Sequence, residues 1–205
     1  MANKVWFVVY VIVFIILAPY LYYSNLINQY GVANQPAGFD FPSYEKDFPL
    51  IAFFTGLYFA VNYLFKIILA PLFTPFVKSQ HDHKVRQRYV DKSSESAAKL
   101  VLHLVNFTWG YMTLYKTDWL PPYLLGKGSF EASIANMPFT PCPASIHLLC
   151  ISFLGQFSAY FIEVLINRDR PDFNETFAHH ITAVALTLGM IFVNNRALGA
   201  TIAWQ

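Results

Sequence analysis

Five stretches of the sequence are each about as long and as apolar as a helix that crosses a bilayer. Such a helix needs about 20 mostly apolar residues to cross the hydrocarbon core. The five stretches run roughly over residues 5–23, 49–70, 100–115, 144–167 and 177–193. A sixth apolar stretch starts near Ala197, but the sequence reaches only to Gln205, too short a distance for a helix to cross. We therefore expect five full spans and an incomplete sixth.

The apolar stretches are continuous, and backbone groups in lipid must be paired within their own segment, so both facts favour helices. The composition agrees, since 56% of the residues are hydrophobic and only 13% are charged, about half the charge of a soluble domain. A soluble domain of this length could not bury so much apolar surface. The predicted fold class is an all-α, multi-pass membrane helical bundle. A net charge of +2 gives no sign of a nucleic-acid partner, and Cys142 and Cys150 cannot form a disulfide framework.

The lysines and arginines are distributed unevenly between the two ends of the predicted spans. If the amino terminus lies inside, the inner side holds or borders Lys4, Lys66, Lys78, Lys84, Arg86, Arg88, Lys92, Lys99, Arg168 and Arg170. The outer side then holds Lys46, Lys116, Lys127 and Arg196. Because positive charge favours the cytoplasmic side, this bias predicts an inside amino terminus. The stretch over residues 24–50 is expected to be an ordered cap or a flexible loop on the outside.

The most informative stretch runs from Arg168 to His180, where charged residues lead into a helix that starts with two adjacent histidines. Unpaired imidazole is costly in an apolar helix, so intramembrane histidines are rare and usually functional. Successive helical residues point about 100° apart, which disfavours binding of one metal ion by both rings. One histidine could act as acid, base or nucleophile while the other orients it. Alternatively, both lie at the headgroup boundary and bond to water.

The residues around the histidine pair resemble a pattern of the ceramide synthases, which belong to the wider TLC family. The pattern is basic-Asp-Phe-x-Glu-x-x-x-His-His, and the matching residues are Asp172, Phe173, Glu175, His179 and His180. Supporting similarities, which extend the resemblance over roughly residues 50–205, are Leu154-Gly155-Gln156 with Tyr160, segments 50–55, 70–72 and 95–96, and Asn195, Arg196 and Gly199. The resemblance implies a TLC bundle over residues 49–205, preceded by a transmembrane anchor and loop over residues 1–48.

Three departures from the family pattern affect this interpretation. Pro171 replaces a basic residue, and Ala183 stands where the family has a threonine. The family's pair of aspartates, in the register set by Gly199, would come just beyond Gln205. We therefore expect a TLC bundle that is truncated at its carboxy-terminal end and lacks these acids.

The resemblance implies a specific reaction, the transfer of an acyl group from acyl-CoA to the amine of a sphingoid base. His179 or His180 would act as the general base or the transient acyl acceptor, and the family's aspartates would stabilise the imidazolium. No cofactor is implied, and acyl-CoA is a substrate if the protein is active. Since the acids are missing, we expect a degenerate, non-catalytic relative that binds lipid or serves as a structural accessory subunit of a larger membrane complex.

Two alternatives stay open beside the accessory role. One is an active ceramide synthase whose carboxy-terminal part is missing from this sequence. The other is a lipid transporter or sensor that uses the same cavity. The resemblance favours the endoplasmic reticulum, with the mitochondrial inner membrane as the alternative location.

Other residues are weaker candidates. Asp172 and Glu175 are expected to start the fifth helix, where acids favour the helix dipole, and to support the histidines. Glu163 lies inside the fourth span and is expected to hydrogen-bond a histidine of the fifth helix or to pair with Arg168. Lys84, Arg86 and Arg88 form a short basic run. We expect this run to contact lipid or CoA phosphates, or only to fix the topology. No metal site is expected, since nothing completes a ligand set around His81, Asp82 and His83.

The predicted topology can be tested by labelling single cysteines from one side of the membrane. Lys84→Cys is expected to react only from the inside and Lys127→Cys only from the outside, because the third span separates them. Labelling is measured in sealed vesicles with a membrane-impermeant maleimide, against the parent chain as a control for Cys142 and Cys150. Labelling of both positions from the same side would contradict the topology.

Overall fold

The computed structural model describes residues 2–37, 39, 41–77, 82–115, 117–122, 126–129, 131–132, 135, 137–169 and 171–195. These residues form five α-helices: α1 (Ala2–Asn34), α2 (Tyr44–Phe73), α3 (His83–Leu114), α4 (Ala144–Ile166) and α5 (Phe173–Phe192). A 3-10 turn, Thr74–Phe76, follows α2. The described residues include no strand, which confirms the all-α class.

Three of these helical segments are long and apolar enough to cross a membrane. They are Val9–Asn34, Glu45–Phe76 and Ala144–Ile166. The other two helices carry more polar sequence, because α3 starts with a charged half and α5 starts with Asn174, Glu175 and the histidine pair. The count of five full spans stays a prediction, and the stretch from Ala197 lies outside the described residues.

The boundaries of α1 and α3 differ from those expected. α1 continues to Asn34, so the prediction of a loop directly after residue 23 is wrong. Its polar residues are satisfied inside the bundle, since the Ser24 hydroxyl donates to the Tyr20 carbonyl and the Asn28 amide donates to the carbonyl of Phe192. The α3 helix begins at His83, well before the expected start near residue 100. Its early turns form because every fourth residue is buried, in the series Val90, Ser94, Ala98, Leu102 and Asn106.

The α4 helix lies at the centre of the bundle. About two thirds of its span is buried (67%), against 11% for the spans of α1 and α2. It contacts α2, α3 and α5, whereas α1 packs on α5. Large apolar side chains on the outer helices, such as Phe14, Phe53 and Ile68, are more than half exposed. That distribution suits helices that face lipid on their outer sides, since lipid is as apolar as the side chains themselves.

Close contact between α2 and α4 depends on Gly155. A methyl group at this position would lie 2.5 Å from Cβ of Phe54 and 3.0 Å from the backbone nitrogen of Thr55. Backbone atoms cannot move aside as a flexible side chain can, so the helices approach this closely only because residue 155 has no side chain. By contrast, a methyl group at Gly56 would meet nothing within 4 Å.

Substitution of these two glycines separates packing from helix propensity. Gly155→Ala is expected to lower the free energy of unfolding by about 1–3 kcal/mol, because it overpacks the α2–α4 contact. Gly56→Ala is the matched control and is expected to leave stability unchanged or to raise it by up to about 1 kcal/mol, the gain in helix propensity. Thermal or denaturant unfolding in detergent measures both. If the two substitutions changed the free energy of unfolding equally, the close packing of α2 on Gly155 would be contradicted.

Candidate functional site

A chain of hydrogen-bonded polar side chains runs through the interior of the bundle. The Tyr58 hydroxyl donates to Oδ1 of Asn106 over 2.7 Å and lies 2.8 Å from the hydroxyl of Ser152. The Asn106 amide donates to Oε1 of Gln156 over 2.6 Å. The Gln156 amide donates in turn to the Tyr160 hydroxyl over 3.0 Å. All five residues are buried, and buried polar groups of this kind are stabilising only when they are paired.

Helical spacing explains why the sequence places these groups together. Residues three or four apart on a helix share one face. The α4 contribution follows that spacing, with Ser152, Gln156, Tyr160 and Glu163. The α2 contribution is Tyr58 and Asn62, and the α3 contribution is Lys99, His103 and Asn106.

Glu163 forms an ion pair with Lys99 near Tyr160, the last member of this hydrogen-bonded series. Its Oε2 lies 3.0 Å from Nζ of Lys99 and accepts a 3.3 Å hydrogen bond from the amide of Asn62. Lys99 also pairs with Glu95, one turn earlier on α3, at 2.5 Å. Its ammonium lies 5.2 Å from the centroid of the Tyr160 ring. Two carboxylates thus surround one lysine beside Tyr160.

Both predictions of a partner for Glu163 are wrong. Arg168 is exposed, and its Nε donates to the carbonyl of Leu165 instead. The contacts of Glu163 are with Lys99 and Asn62 rather than with a histidine of α5. The reason is that Lys99 reaches Glu163 from a neighbouring helix, and a pair on different helices has no local signal in the sequence.

The two adjacent histidines face different surroundings. His180 is half-buried, and its ring centroid lies 5.9 Å from that of Tyr160. His179 is exposed, and its ring centroid lies 5.2 Å from that of His180. Of the two histidines, His180 thus lies on the interior side of α5. The ring of His103 also lies 5.8 Å from Tyr160. We call Lys99, His103, Tyr160, Glu163 and His180 the Tyr160 cluster.

The acids that precede the histidines lie at the start of α5, as predicted. Asp172 occupies the N-cap position without a capping hydrogen bond from its side chain, and Glu175 lies in the first turn. Glu175 is exposed and stands one turn before His179, on the same helical face. Both positions suit the helix dipole. A supporting role toward the histidines stays a prediction.

The basic residues near the start of α3 are not equivalent. Lys84 and Arg88 are exposed on the first turns of the helix. Arg86 is half-buried, and its guanidinium donates to the carbonyl of Thr74 over 3.0 Å, which links α3 to the end of α2. A phosphate contact at this site stays a prediction. His81 lies outside the described residues, and within the described ones no three metal-binding side chains converge.

The histidine motif does not identify several members of this site. Tyr58, Asn62, Lys99 and Asn106 all lie outside that motif. A signal was present, because polar residues recur four apart within the apolar second stretch and three to four apart at the start of the third. Intramembrane polar residues with this spacing indicate a shared interior face.

The Lys99–Glu163 pair gives a stability prediction. Lys99→Met is expected to lower the free energy of unfolding by about 1–3 kcal/mol, because it leaves the buried Glu163 carboxylate without its counter-charge. In the double variant with Glu163→Gln, more than half of that loss should be recovered, since a neutral amide needs no counter-charge. Lys92→Met, at an exposed position on the same helix, is the control and should stay within about 0.5 kcal/mol of the parent. If the effects of the two substitutions on the free energy of unfolding simply added in the double variant, the Lys99–Glu163 interaction would be contradicted.

Comparison with known proteins assigns this chain to a family. No curated protein and no solved structure shows significant similarity to the chain. The TLC domain, in contrast, matches residues 92–203, more than half of the chain. The matched region contains the whole Tyr160 cluster, His179, and all of α4 and α5. The chain therefore belongs to the TLC domain family.

Proposed function

We propose that this chain is a lipid-binding membrane protein whose Tyr160 cluster contacts the polar part of a lipid, and that it acts as a non-catalytic accessory subunit of a membrane complex. The observation that carries the proposal is the position of His180, half-buried against Tyr160 at the end of a buried polar chain. Polar side chains are expensive inside an apolar bundle and usually mark a path or site for a polar ligand.

An apolar groove on the α1 side of α5 supports a lipid as that ligand. It lies between α1 and α5, has a volume of about 430 Å³, and is lined by Val13, Leu17, Phe177, Ile181 and Ala185 among others. Phe177 and Ile181 lie within one turn of His180 on α5, and the His180 ring faces Tyr160 on the neighbouring side of the helix. The volume falls within the range of small-molecule sites.

The distribution of negative charge supports a non-catalytic role. A histidine that accepts a proton in an apolar helix needs a counter-charge. Among the described residues, the buried carboxylates are Asp47 and Glu163. Asp47 is bonded to His147, and Glu163 to Lys99 and Asn62. Each of these two carboxylates therefore already balances or bonds another side chain.

The second candidate is the acyl-CoA-dependent N-acylation of a sphingoid base. The observation that favours it is the contact between the inward His180 and the adjacent, outward His179. In this reaction His180 would take a proton from the attacking amine, and the thiol of CoA would leave from the acyl carbon. Lys84 and Arg88, which are exposed at the start of α3, are the residues that we would assign to the CoA phosphates.

The membrane arrangement that we propose has all five described helices crossing with the amino terminus inside. Each helix has at least 20 residues, the shortest being α5 with 20, which at 1.5 Å per residue covers about 30 Å of hydrocarbon. The polar half of α3 and the histidines of α5 then lie at the inner side. By family resemblance we place the protein in the endoplasmic reticulum, with the mitochondrial inner membrane as the alternative.

Lipid binding and catalysis can be measured on the same purified chain. In nanodiscs, a photoactivatable sphingosine or fatty acid is expected to cross-link near His180, and His180→Ala should reduce the yield several-fold because it removes the polar contact. His179→Ala is the matched control and should leave the yield nearly unchanged. With acyl-CoA and sphingosine as substrates, no amide product above the His180→Ala level is expected.

The outcomes separate the two candidates. Cross-linking that is equal in the two histidine variants would contradict a lipid site at the Tyr160 cluster. Amide product that depends on His180 would contradict the accessory role and establish the acyltransferase instead.

A further inference from the structure

A groove lies between the last turns of α2 and the first turns of α3, outside the Tyr160 cluster. It has a volume of about 650 Å³, and its lining combines aromatic, aliphatic and polar side chains, among them Tyr63, Lys66, Ile67, Gln87 and Asp91. Arg86 fixes one end of the groove, since its guanidinium donates to the carbonyl of Thr74, which also lines it. The volume falls within the range of small-molecule sites.

The described lining contains one positive and one negative residue, Lys66 and Asp91. Lys66 is half-buried within the apolar span of α2, and within the described part of the chain its ammonium forms no ion pair or hydrogen bond. Asp91 is half-buried on α3, and its Oδ1 accepts a 2.9 Å hydrogen bond from the amide of Gln87. The two opposite charges thus share a groove without pairing with each other. An ionisable residue in such a span usually marks a ligand site.

The depth of the groove suits a lipid headgroup. The α2 helix has 30 residues and α3 has 32, so each is about 45 to 48 Å long, against about 30 Å for the hydrocarbon core. The charged first half of α3 places the surplus length at that end, because charged side chains avoid hydrocarbon. Lys66 precedes Phe73, the last residue of α2, by only about 10 Å along the helix.

The charges of the groove specify its complement. A simple anion pairs with Lys66 but is repelled by Asp91, and a simple cation meets the opposite problem. A molecule that carries both charges on a short linker satisfies both residues. A phosphodiester accepts charge-assisted hydrogen bonds from a lysine ammonium. A positively charged nitrogen is attracted by a carboxylate and by an aromatic face such as that of Tyr63.

Snorkelling of Lys66 to bulk lipid accounts for less of the groove. A lysine near a helix end can extend to the phosphates of the surrounding bilayer, and this interpretation gives no role to Asp91. It also predicts a preference for anionic lipid, because Lys84 and Arg88 add exposed positive charge on the first turns of α3. A carboxylate in the lining favours the opposite preference.

We propose that this groove binds one phospholipid with a zwitterionic headgroup, its phosphate on the ammonium of Lys66 and its positively charged nitrogen against Asp91 and Tyr63. Choline and ethanolamine headgroups share this chemistry. The groove has no lining residue in common with the Tyr160 cluster, so the inference does not depend on the proposed function.

Native mass spectrometry of the full chain in detergent tests the proposal with two probes of equal chain length, dioctanoyl phosphatidylcholine and dioctanoyl phosphatidylglycerol. The parent chain should bind the zwitterionic lipid at least about threefold more tightly, because the anionic lipid is repelled by Asp91. Lys66→Met should weaken phosphatidylcholine binding at least about threefold. Asp91→Asn should weaken phosphatidylcholine binding but tighten phosphatidylglycerol binding, so that the preference is lost or reversed.

Lys92→Met is the matched control for the charge, since Lys92 is exposed, lies next to Asp91 and is outside the lining. It should keep the preference for phosphatidylcholine, and so should His180→Ala. Loss of phosphatidylcholine binding in His180→Ala would assign the lipid to the Tyr160 cluster and overturn the proposal.

Two further results would also overturn it. One is tighter binding of phosphatidylglycerol by the parent chain, or an Asp91→Asn substitution that affects both lipids equally. The other is phosphatidylcholine binding that is unchanged in Ala70→Trp. This variant fills the groove while both charges stay in place, so it decides the question even if a charge variant does not fold.

Discussion

The bundle depends on the pairing of polar groups inside a chain that is mostly apolar. In lipid, a polar side chain without an internal partner costs several kcal/mol, so polar groups determine which helices meet. The hydrogen-bonded series Tyr58, Asn106, Gln156 and Tyr160 joins α2, α3 and α4 in this way. Gly155 lies next to Gln156 and lets α2 approach α4 closely, so that the hydroxyls of Tyr58 and Ser152 lie 2.8 Å apart.

The same pairing determines the character of each end of the bundle. At one end, Lys99 and Glu163 balance each other beside Tyr160. The Tyr160 ring also contacts the half-buried His180. At the other end, Oδ1 of Asp47 is bonded to His147, and its Oδ2 has no hydrogen-bond partner among the described residues. The first end combines aromatic rings with basic and acidic groups, and the second has a buried carboxylate, Asp47.

Local patterns in the sequence predicted the helices well, but they predicted the interaction partners of the buried polar side chains poorly. The α4 helix runs over Ala144–Ile166, almost as expected, because its apolar stretch is continuous and bounded by Pro143 and Asn167. The inward position of His180 was also predictable from the cost of exposing imidazole to lipid. The partner of Glu163 was not, because Lys99 lies 64 residues earlier, on another helix. The continuation of α1 to Asn34 was not predictable either, since Asn28 is satisfied by the carbonyl of Phe192, which lies 164 residues later.

The division between an inner and an outer histidine is the central claim, and chemical modification tests it most directly. Diethyl pyrocarbonate is applied to the purified chain in nanodiscs, and the rates at His179 and His180 are followed by peptide mass spectrometry. We predict that His179 reacts several-fold faster than His180, and that Tyr160→Ala reduces this difference. Equal rates at the two histidines in the parent chain, or faster modification of His180, would contradict the account.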